Sequence, residues 1–269
     1  KIMLFSTMDD ISPIVRSYVP SNSNATIYIA GDSIVQSYSD DNYPRDGWGK
    51  YVGDYYNNIS VSNLAVSGYT TRMFIDEQKM KIVEENIKPG DYLMVSFMAN
   101  DSTVGSVKRV DRYDFKNLLR YYSDVASRNG AQVVFVTSPS VLSLANSGSY
   151  GGGYGNGYYP QLMRDVAAEV GAPLIDLYQT RIDFQTEKGY NYVESAMYLC
   201  NIDTLRLNFT DRVIADGKFD GTDKTHISIW GAIKCASWIA EAMKNIDCGL
   251  RYYTNGVTFD FPENFAMAQ

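Results

Sequence analysis

The segment Thr26-Ile27-Tyr28-Ile29-Ala30, followed directly by Gly31-Asp32-Ser33, decides the fold class of this 269-residue chain. Its first five residues are apolar on both faces, which is typical of a strand buried inside a parallel sheet. Four later runs have the same character, at residues 59–65, 91–97, 131–137 and 172–177. Segments with helical spacing follow them, at residues 73–87, 113–128, 159–170 and 229–244. The alternation predicts an α/β protein, a three-layer α/β/α sandwich around a five-stranded parallel sheet.

Two further features complete the predicted organisation. In a parallel sheet of this kind ligands bind beyond the carboxyl ends of the strands, so chemistry is expected in the loops that follow them. Near the C-terminus, Thr254-Asn255-Gly256-Val257 is a strong turn signal and predicts a β-hairpin over residues 251–261. No repeat or linker divides the chain. We therefore predict a single domain over residues 1–269, with its core at about 26–245 and a C-terminal hairpin extension at 246–269.

Composition excludes several functional classes. The hydrophobic content of 45% is that of a packed globular core. A net charge of -7 lacks the surplus of Lys and Arg that neutralises phosphates, so no nucleic-acid partner is expected. No apolar run approaches the roughly 20 residues needed to cross a bilayer, so no membrane insertion is expected. The opening residues, Lys1 to Phe5, are too short for a signal-peptide core, and we expect a mature or trimmed form.

The three cysteines, Cys200, Cys235 and Cys248, lack the paired spacing of a zinc site, and we expect no metal. They permit one intramolecular disulfide at most, for which Cys235 and Cys248 are the expected pair. Three buried thiols are an equally good interpretation, because free cysteine behaves as a small hydrophobic residue.

A serine, a histidine and an aspartate form the candidate chemical group. Ser33 follows the first predicted strand directly, where a nucleophile is well placed. His226 is the only histidine, so any mechanism in which imidazole activates a hydroxyl depends on it. Asp223 stands three residues earlier, where its carboxylate can bind the Nδ1 proton and leave Nε2 facing the serine. A lone histidine is more often structural, and a serine before a helix is more often a cap.

Acyl transfer also needs hydrogen-bond donors aimed at the developing oxyanion. Gly68 follows the second predicted strand and, without a Cβ, can bring its backbone N–H close to a ligand. Asn100 follows the third predicted strand and offers a side-chain amide. No Gly-x-Ser-x-Gly elbow occurs in the sequence, which argues against the α/β-hydrolase family.

Ser33, Gly68, Asn100 and His226 therefore occur in the order typical of the SGNH (GDSL-like) hydrolases, which the chain resembles closely. Within that superfamily it is most similar to the rhamnogalacturonan acetylesterases and their bacterial relatives. The resemblance spans about residues 26–244 and rests on Gly31-Asp32-Ser33, Gly47-Trp48-Gly49, Asn63-x-Ala65, Asn100-Asp101, Tyr159-Pro160-Gln161-x-Met163-Arg164, Pro173-Leu174-Ile175-Asp176-Leu177 and Asp223-x-Thr225-His226 with Gly231-Ala232.

The resemblance implies a flavodoxin-like SGNH hydrolase fold and a serine esterase without a cofactor. Ser33 would be the nucleophile, His226 the general base and acid, and Asp223 the orienting carboxylate. The oxyanion hole would comprise the N–H groups of Ser33 and Gly68 and the side chain of Asn100. The expected substrate is an acetylated plant cell-wall polysaccharide or oligosaccharide, either pectin/rhamnogalacturonan or xylan, and the protein is expected to be secreted.

Substrate preference is less defined, because the chain departs from the family pattern beside the pocket. Met98-Ala99 replaces the usual Gly-His, and Gly68-Tyr69-Thr70 replaces a Gly-Arg-Ser run. A Tyr- and Gly-rich stretch at 147–159 is either a sugar-stacking loop or a plain flexible insertion. The expected substrate-binding residues are Asp32, Tyr69, Met98, Tyr154 and Tyr158.

Two alternative functions are kept. One is a lipase, arylesterase or thioesterase of the same fold, and the other is a catalytically inactive carbohydrate-binding module, which the Met98-Ala99 departure motivates. The oligomeric state is left open.

Overall fold

The central sheet has five parallel strands, as predicted. The computed structural model describes residues 24–103, 105–139, 142, 158–211, 213–214, 219–262, 265 and 267. The sheet order is β2-β1-β3-β4-β5, which is the flavodoxin-like order. The strands are β1 (Ala25–Gly31), β2 (Ile59–Asn63), β3 (Tyr92–Ser96), β4 (Gln132–Val136) and β5 (Leu174–Ile175).

Helices follow the strands on both faces of the sheet. They are α1 (Thr71–Asp76), α2 (Lys79–Asn86), α3 (Arg112–Arg128), α4 (Tyr158–Val170), α5 (Leu177–Lys188), α6 (Tyr190–Met197), α7 (Ile202–Asn208) and α8 (Ile229–Met243). The single helix predicted at 73–87 is instead two, because Gln78 adopts a left-handed φ of 64° between them. Phe74 and Val83 nevertheless reach the same core, so the apolar spacing does not reveal the break.

Alternate residues of β1, β3, β4 and β5 face two separate cores, which makes the domain three layers thick. Along β1, Ile27 and Ile29 pack into the core that contains α8, whereas Tyr28 and Ala30 pack into the core beneath α1 to α4. This period of two is what a sheet covered on both faces requires.

The C-terminal segment differs from the predicted self-paired hairpin over 251–261. Gly249–Tyr253 form a 3₁₀ helix, and the residues after it run beside the loop before β2. Asn57 N–H donates to the Tyr253 carbonyl at 2.7 Å, and Asn255 N–H donates to the Tyr55 carbonyl at 3.0 Å. The Asn-Gly turn signal was overridden because this backbone finds its partners in a neighbouring loop.

An antiparallel pair does exist elsewhere, between β6 (Tyr198–Leu199) and β7 (Asp223–Ile227). The prediction of a disulfide between Cys235 and Cys248 is wrong, since all three cysteines are free and buried. Cys248 Sγ instead lies 3.2 Å from Gln132 Oε1. Among the described residues, no helix is long and apolar enough to span a membrane.

Candidate active site

Ser33 lies in a tight turn immediately after β1. The Asp32 carbonyl accepts the N–H groups of Val35 and Gln36 at 3.1 and 3.0 Å, which closes the turn. Gly31 is required before it, because a Cβ there would lie 2.6 Å from Val35 Cγ2. Ser33 is only 6% exposed, so its environment is largely set by the protein.

His226 and Asp223, both on β7, form a continuous hydrogen-bonded line with Ser33. His226 Nε2 lies 3.0 Å from Ser33 Oγ, and His226 Nδ1 lies 2.7 Å from Asp223 Oδ2. Asp223 Oδ1 accepts the backbone N–H groups of His226 and Thr225 at 2.9 and 3.0 Å. This is the geometry in which an imidazole can take a proton from a serine hydroxyl.

The charge of Asp223 is fixed by these bonds. Burial alone would raise its pKa, but the hydrogen bonds and charge interaction with His226, with the two backbone N–H groups, outweigh burial and lower the pKa of Asp223 to about 2. The carboxylate is therefore ionised at neutral pH, where it can hold the Nδ1 proton.

The two residues after His226 tie the end of β7 to the loop that follows the Ser33 turn. Arg45 forms an antiparallel bridge with Ser228, and Asp46 N–H donates to the Ile227 carbonyl at 3.3 Å. Ser228 Oγ accepts the Gly231 N–H at 3.2 Å and so caps α8. The imidazole is consequently held between a fixed loop and the first turn of a helix.

Gly68 and Asn100 meet in the loops beside the Ser33 turn. Val66 N–H donates to the Gly31 carbonyl at 3.1 Å, which carries the chain after β2 along the end of β1. Gly68 then adopts a φ of 79°, in the left-handed region that favours glycine. Asn100 Nδ2 donates to the Tyr69 carbonyl at 2.9 Å, so the amide is fixed next to Gly68.

Comparison with known proteins agrees with this geometry. Residues 29–193 match the model of the GDSL-like Lipase/Acylhydrolase family. The chain belongs to this family. Family membership and its acetylesterase relatives make it a carboxylic ester hydrolase.

Two curated relatives from Bacillus subtilis (strain 168) cover most of the chain. Rhamnogalacturonan acetylesterase RhgT is 28% identical over 228 residues, which are 84% of this chain and 92% of RhgT. Probable rhamnogalacturonan acetylesterase YesY is 29% identical over 225 residues, which are 82% of this chain and 93% of YesY.

Solved structures show the same fold. The Bacillus subtilis protein YxiM superposes with a TM-score of 0.64 at 24% identity, over 83% of this chain and 57% of that one. An acetyl xylan esterase from Geobacillus stearothermophilus, Axe2, superposes with a TM-score of 0.57 at 14% identity, over 82% of this chain and 94% of Axe2.

Two carboxyl groups beside the site of this GDSL-like hydrolase, those of Asp32 and Asp101, are fully buried, which was not predicted from the sequence. Asp32 was expected to bind substrate, but it is fully buried, and its Oδ1 accepts the Ile34 N–H at 3.0 Å. Asp101, next to Asn100, is also fully buried, and its Oδ1 accepts the Thr71 N–H and hydroxyl at 2.9 and 2.6 Å. The sequence signal for both is an aspartate directly beside a candidate site residue, Ser33 or Asn100.

Both carboxyl groups have raised pKa values. Burial raises the pKa of Asp32 to about 7, with a further contribution from Asp101, while the N–H groups of Ile34 and Ala99 partly offset burial. Burial also raises the pKa of Asp101 to about 6, against the hydrogen bonds from Thr71. Across the residues that the structure describes, the buried Oδ2 atoms of both carboxyl groups have no hydrogen-bond partner.

The other expected substrate-binding residues have mixed outcomes. The prediction that Met98 binds substrate is wrong, since Met98 is 2% exposed and packs in the core with Phe97. Tyr69 is half-buried beside the site, where its carbonyl receives Asn100. Tyr154 lies outside the described residues, and Tyr158 begins α4. Within the described part of the chain, no group of three His, Cys, Asp or Glu side chains is arranged to hold a metal ion.

Proposed function

We propose that this GDSL-like hydrolase is a carbohydrate acetylesterase that removes O-acetyl groups from plant cell-wall polysaccharide, either pectin/rhamnogalacturonan or xylan. The observation that carries the proposal is the line from Ser33 Oγ through His226 to Asp223, with 3.0 and 2.7 Å between successive atoms. The names of the relatives supply the substrate class, since two are rhamnogalacturonan acetylesterases. Because such polymers do not cross membranes, we also propose that the protein is secreted.

In this mechanism Ser33 attacks the acetyl carbonyl while His226 Nε2 takes the hydroxyl proton. The bond from the carbonyl carbon to the sugar oxygen then breaks, and the imidazolium returns the proton to that oxygen. Water, activated by the same nitrogen, attacks the acetyl-enzyme and releases acetate with Ser33 regenerated. Asp223 stays ionised, with its pKa at about 2, and stabilises the imidazolium throughout.

The oxyanion of each tetrahedral intermediate would be bound by the N–H groups of Ser33 and Gly68 and by Asn100. The bond to the Tyr69 carbonyl uses one hydrogen of the Asn100 amide and fixes the direction of the other. A donor fixed in advance is favourable because it needs no reorganisation when charge develops.

The experiment compares wild type with Ser33→Ala. Acetate release is measured from acetylated rhamnogalacturonan and acetylated xylan, beside p-nitrophenyl esters of acetate and of a long-chain acid. We expect activity on acetate esters to be lost in the variant, with little change in Tm. Ser195→Ala is the matched control, because Ser195 is similarly buried, at 4% exposed against 6%, but lies on α6.

Substantial residual turnover by Ser33→Ala would remove Ser33 from the nucleophile role. Preference for the long-chain ester would favour the lipase alternative. A wild type that binds the polysaccharide but releases no acetate would favour the inactive module.

A further inference from the structure

The hydroxyl of Tyr38 lies at a junction of loops that no part of the proposed mechanism uses. Tyr38 is 9% exposed, and its hydroxyl donates to the backbone carbonyl of Ser33 at 3.0 Å. Arg45 Nη2 donates to the same oxygen at 2.5 Å.

These two partners come from different parts of the site. Ser33 is the proposed nucleophile. Arg45 pairs through its backbone with Ser228, two residues after His226. One phenolic oxygen thus connects the turn that carries the nucleophile with the loop that is paired to the segment carrying the base.

The ring of Tyr38 is itself held from several sides. The Arg45 guanidinium carbon lies 4.4 Å from the ring centroid, so the same cation stacks on the ring and binds its hydroxyl. At the other end, Tyr38 N–H donates to Asp46 Oδ1 at 3.1 Å. Asp46 is buried and also binds Lys50 and Tyr51. The tyrosine therefore has little freedom to move away from Ser33.

We propose that Tyr38 is a positioning residue, whose hydroxyl, oriented by Arg45, fixes the Ser33 backbone and so holds Ser33 Oγ in line with His226. The inference rests on the proposed role of Ser33. Burial raises the pKa of Tyr38, so the hydroxyl remains protonated and can donate to the Ser33 carbonyl. Losing this bond frees a buried carbonyl and the turn that it anchors.

The test is Tyr38→Phe, which keeps the ring and removes the oxygen, measured on p-nitrophenyl acetate. We expect kcat to fall about 10- to 100-fold with KM changed less than about two-fold, because misplacing a reacting atom by about 1 Å is costly. The rate at which a fluorophosphonate labels Ser33 should fall in parallel.

The matched control is Tyr28→Phe. Tyr28 lies on β1 with the same 9% exposure, and its hydroxyl also donates to a backbone carbonyl, that of Asn86, at 3.2 Å. We expect a similar loss of Tm and an unchanged kcat. Equal kcat for the two variants, or normal fluorophosphonate labelling of Tyr38→Phe, would overturn the proposal.

A second variant covers the case in which Tyr38→Phe does not fold. Arg45→Gln should lower kcat by a smaller factor, and Arg45→Lys should restore part of it. If Tyr38→Phe folds, the double variant should be no slower than Tyr38→Phe alone, because both changes disturb one unit. Additive losses, or an Arg45→Gln variant as fast as wild type, would contradict the inference. If wild type itself hydrolyses no ester, the proposed function fails instead.

Discussion

Three aspartates lie at the site, and the pKa of Asp223, which binds His226, is shifted in the opposite direction from those of Asp32 and Asp101. Asp223 has a pKa lowered to about 2, whereas Asp32 and Asp101 have pKa values raised to about 7 and about 6. Asp32 and Asp101 are fully buried and Asp223 is half-buried, so burial acts on each in the same direction but less completely on Asp223. The remaining difference comes from the donors that each carboxyl group meets.

Both oxygens of Asp223 are hydrogen-bonded, one to two backbone N–H groups and the other to His226. Asp32 and Asp101 each have one buried oxygen to which no described residue forms a hydrogen bond. A buried carboxylate is stabilised only if donors replace the water that it has lost. The site therefore keeps one carboxylate charged where the proposed mechanism forms an imidazolium. It disfavours charge on the two that adjoin Ser33 and Asn100 in the chain, where a negative charge would oppose the proposed oxyanion.

The largest expected effect comes from a matched pair of isosteric changes that tests this contrast. Asp223→Asn should lower kcat/KM on p-nitrophenyl acetate by roughly 10⁴-fold, because the amide neither stabilises the imidazolium nor fixes its tautomer. Asp32→Asn should cost less than about ten-fold at pH 6, because Asp32 is already largely uncharged there. Comparable losses in the two variants would show that Asp32 contributes to catalysis in its ionised form, which would contradict the contrast between the two aspartates.

A smaller effect is expected on stability, where Asp32 should show a characteristic pH dependence. Its pKa is raised from 3.8 to about 7 on folding, so folding takes up a proton between these values. The stability gained from that proton is fully present below about pH 4 and is lost as pH rises through about 7. Asp32→Asn, which cannot ionise, should therefore gain in Tm relative to wild type by roughly 3–6 °C between pH 5 and pH 8.5.

The measurement is thermal unfolding of both proteins across that range at constant ionic strength. Glu85→Gln, an exposed carboxylate on α2, is the control and should follow wild type at every pH. A Tm difference that does not grow with pH would mean that Asp32 ionises in the folded protein much as it does in the unfolded chain.

Sequence predicted the features that depend on the order of residues along the strands. The five strands were located because they are short runs rich in apolar residues, and Ser33, Gly68 and Asn100 were located because parallel strands bring their carboxyl ends to one edge. The line of Ser33, His226 and Asp223 followed from the single histidine and the spacing of its aspartate. These inferences need only local pattern and one rule of topology.

Features that depend on tertiary contacts were missed. Helix α5 was not identified, because buried Arg181 and Gln185 occupy positions where an apolar residue would have revealed its inner face. The hairpin at 251–261 was predicted from a turn signal, but the chain pairs with residues 55–57 instead. Asp32 and Met98 were expected to face substrate because they lie close in sequence to Ser33 and Asn100. Both are buried instead, and burial depends on tertiary packing that sequence proximity does not reveal.

The smallest expected effect concerns an exposed charge, the ammonium group of Lys108, which contrasts with the buried carboxyl groups. Lys108 is exposed, its Nζ lies 3.5 Å from the Gly68 carbonyl, and within the described part of the chain no carboxylate lies within ion-pair distance of it. A substrate that carries uronate carboxylates would meet this ammonium next to the proposed oxyanion donor, whereas acetylated xylan without uronate side groups would not. We expect Lys108→Gln to lower kcat/KM on acetylated rhamnogalacturonan by about two- to five-fold, as exposed charge pairs contribute little. The loss should disappear in high salt, because exposed charges are screened.

Lys81→Gln on α2 makes the same change in net charge and should leave kcat/KM unaltered. Equal losses on acetylated xylan and p-nitrophenyl acetate would mean that Lys108 supports the Gly68 loop, and no loss on any substrate would place the polysaccharide elsewhere on the surface.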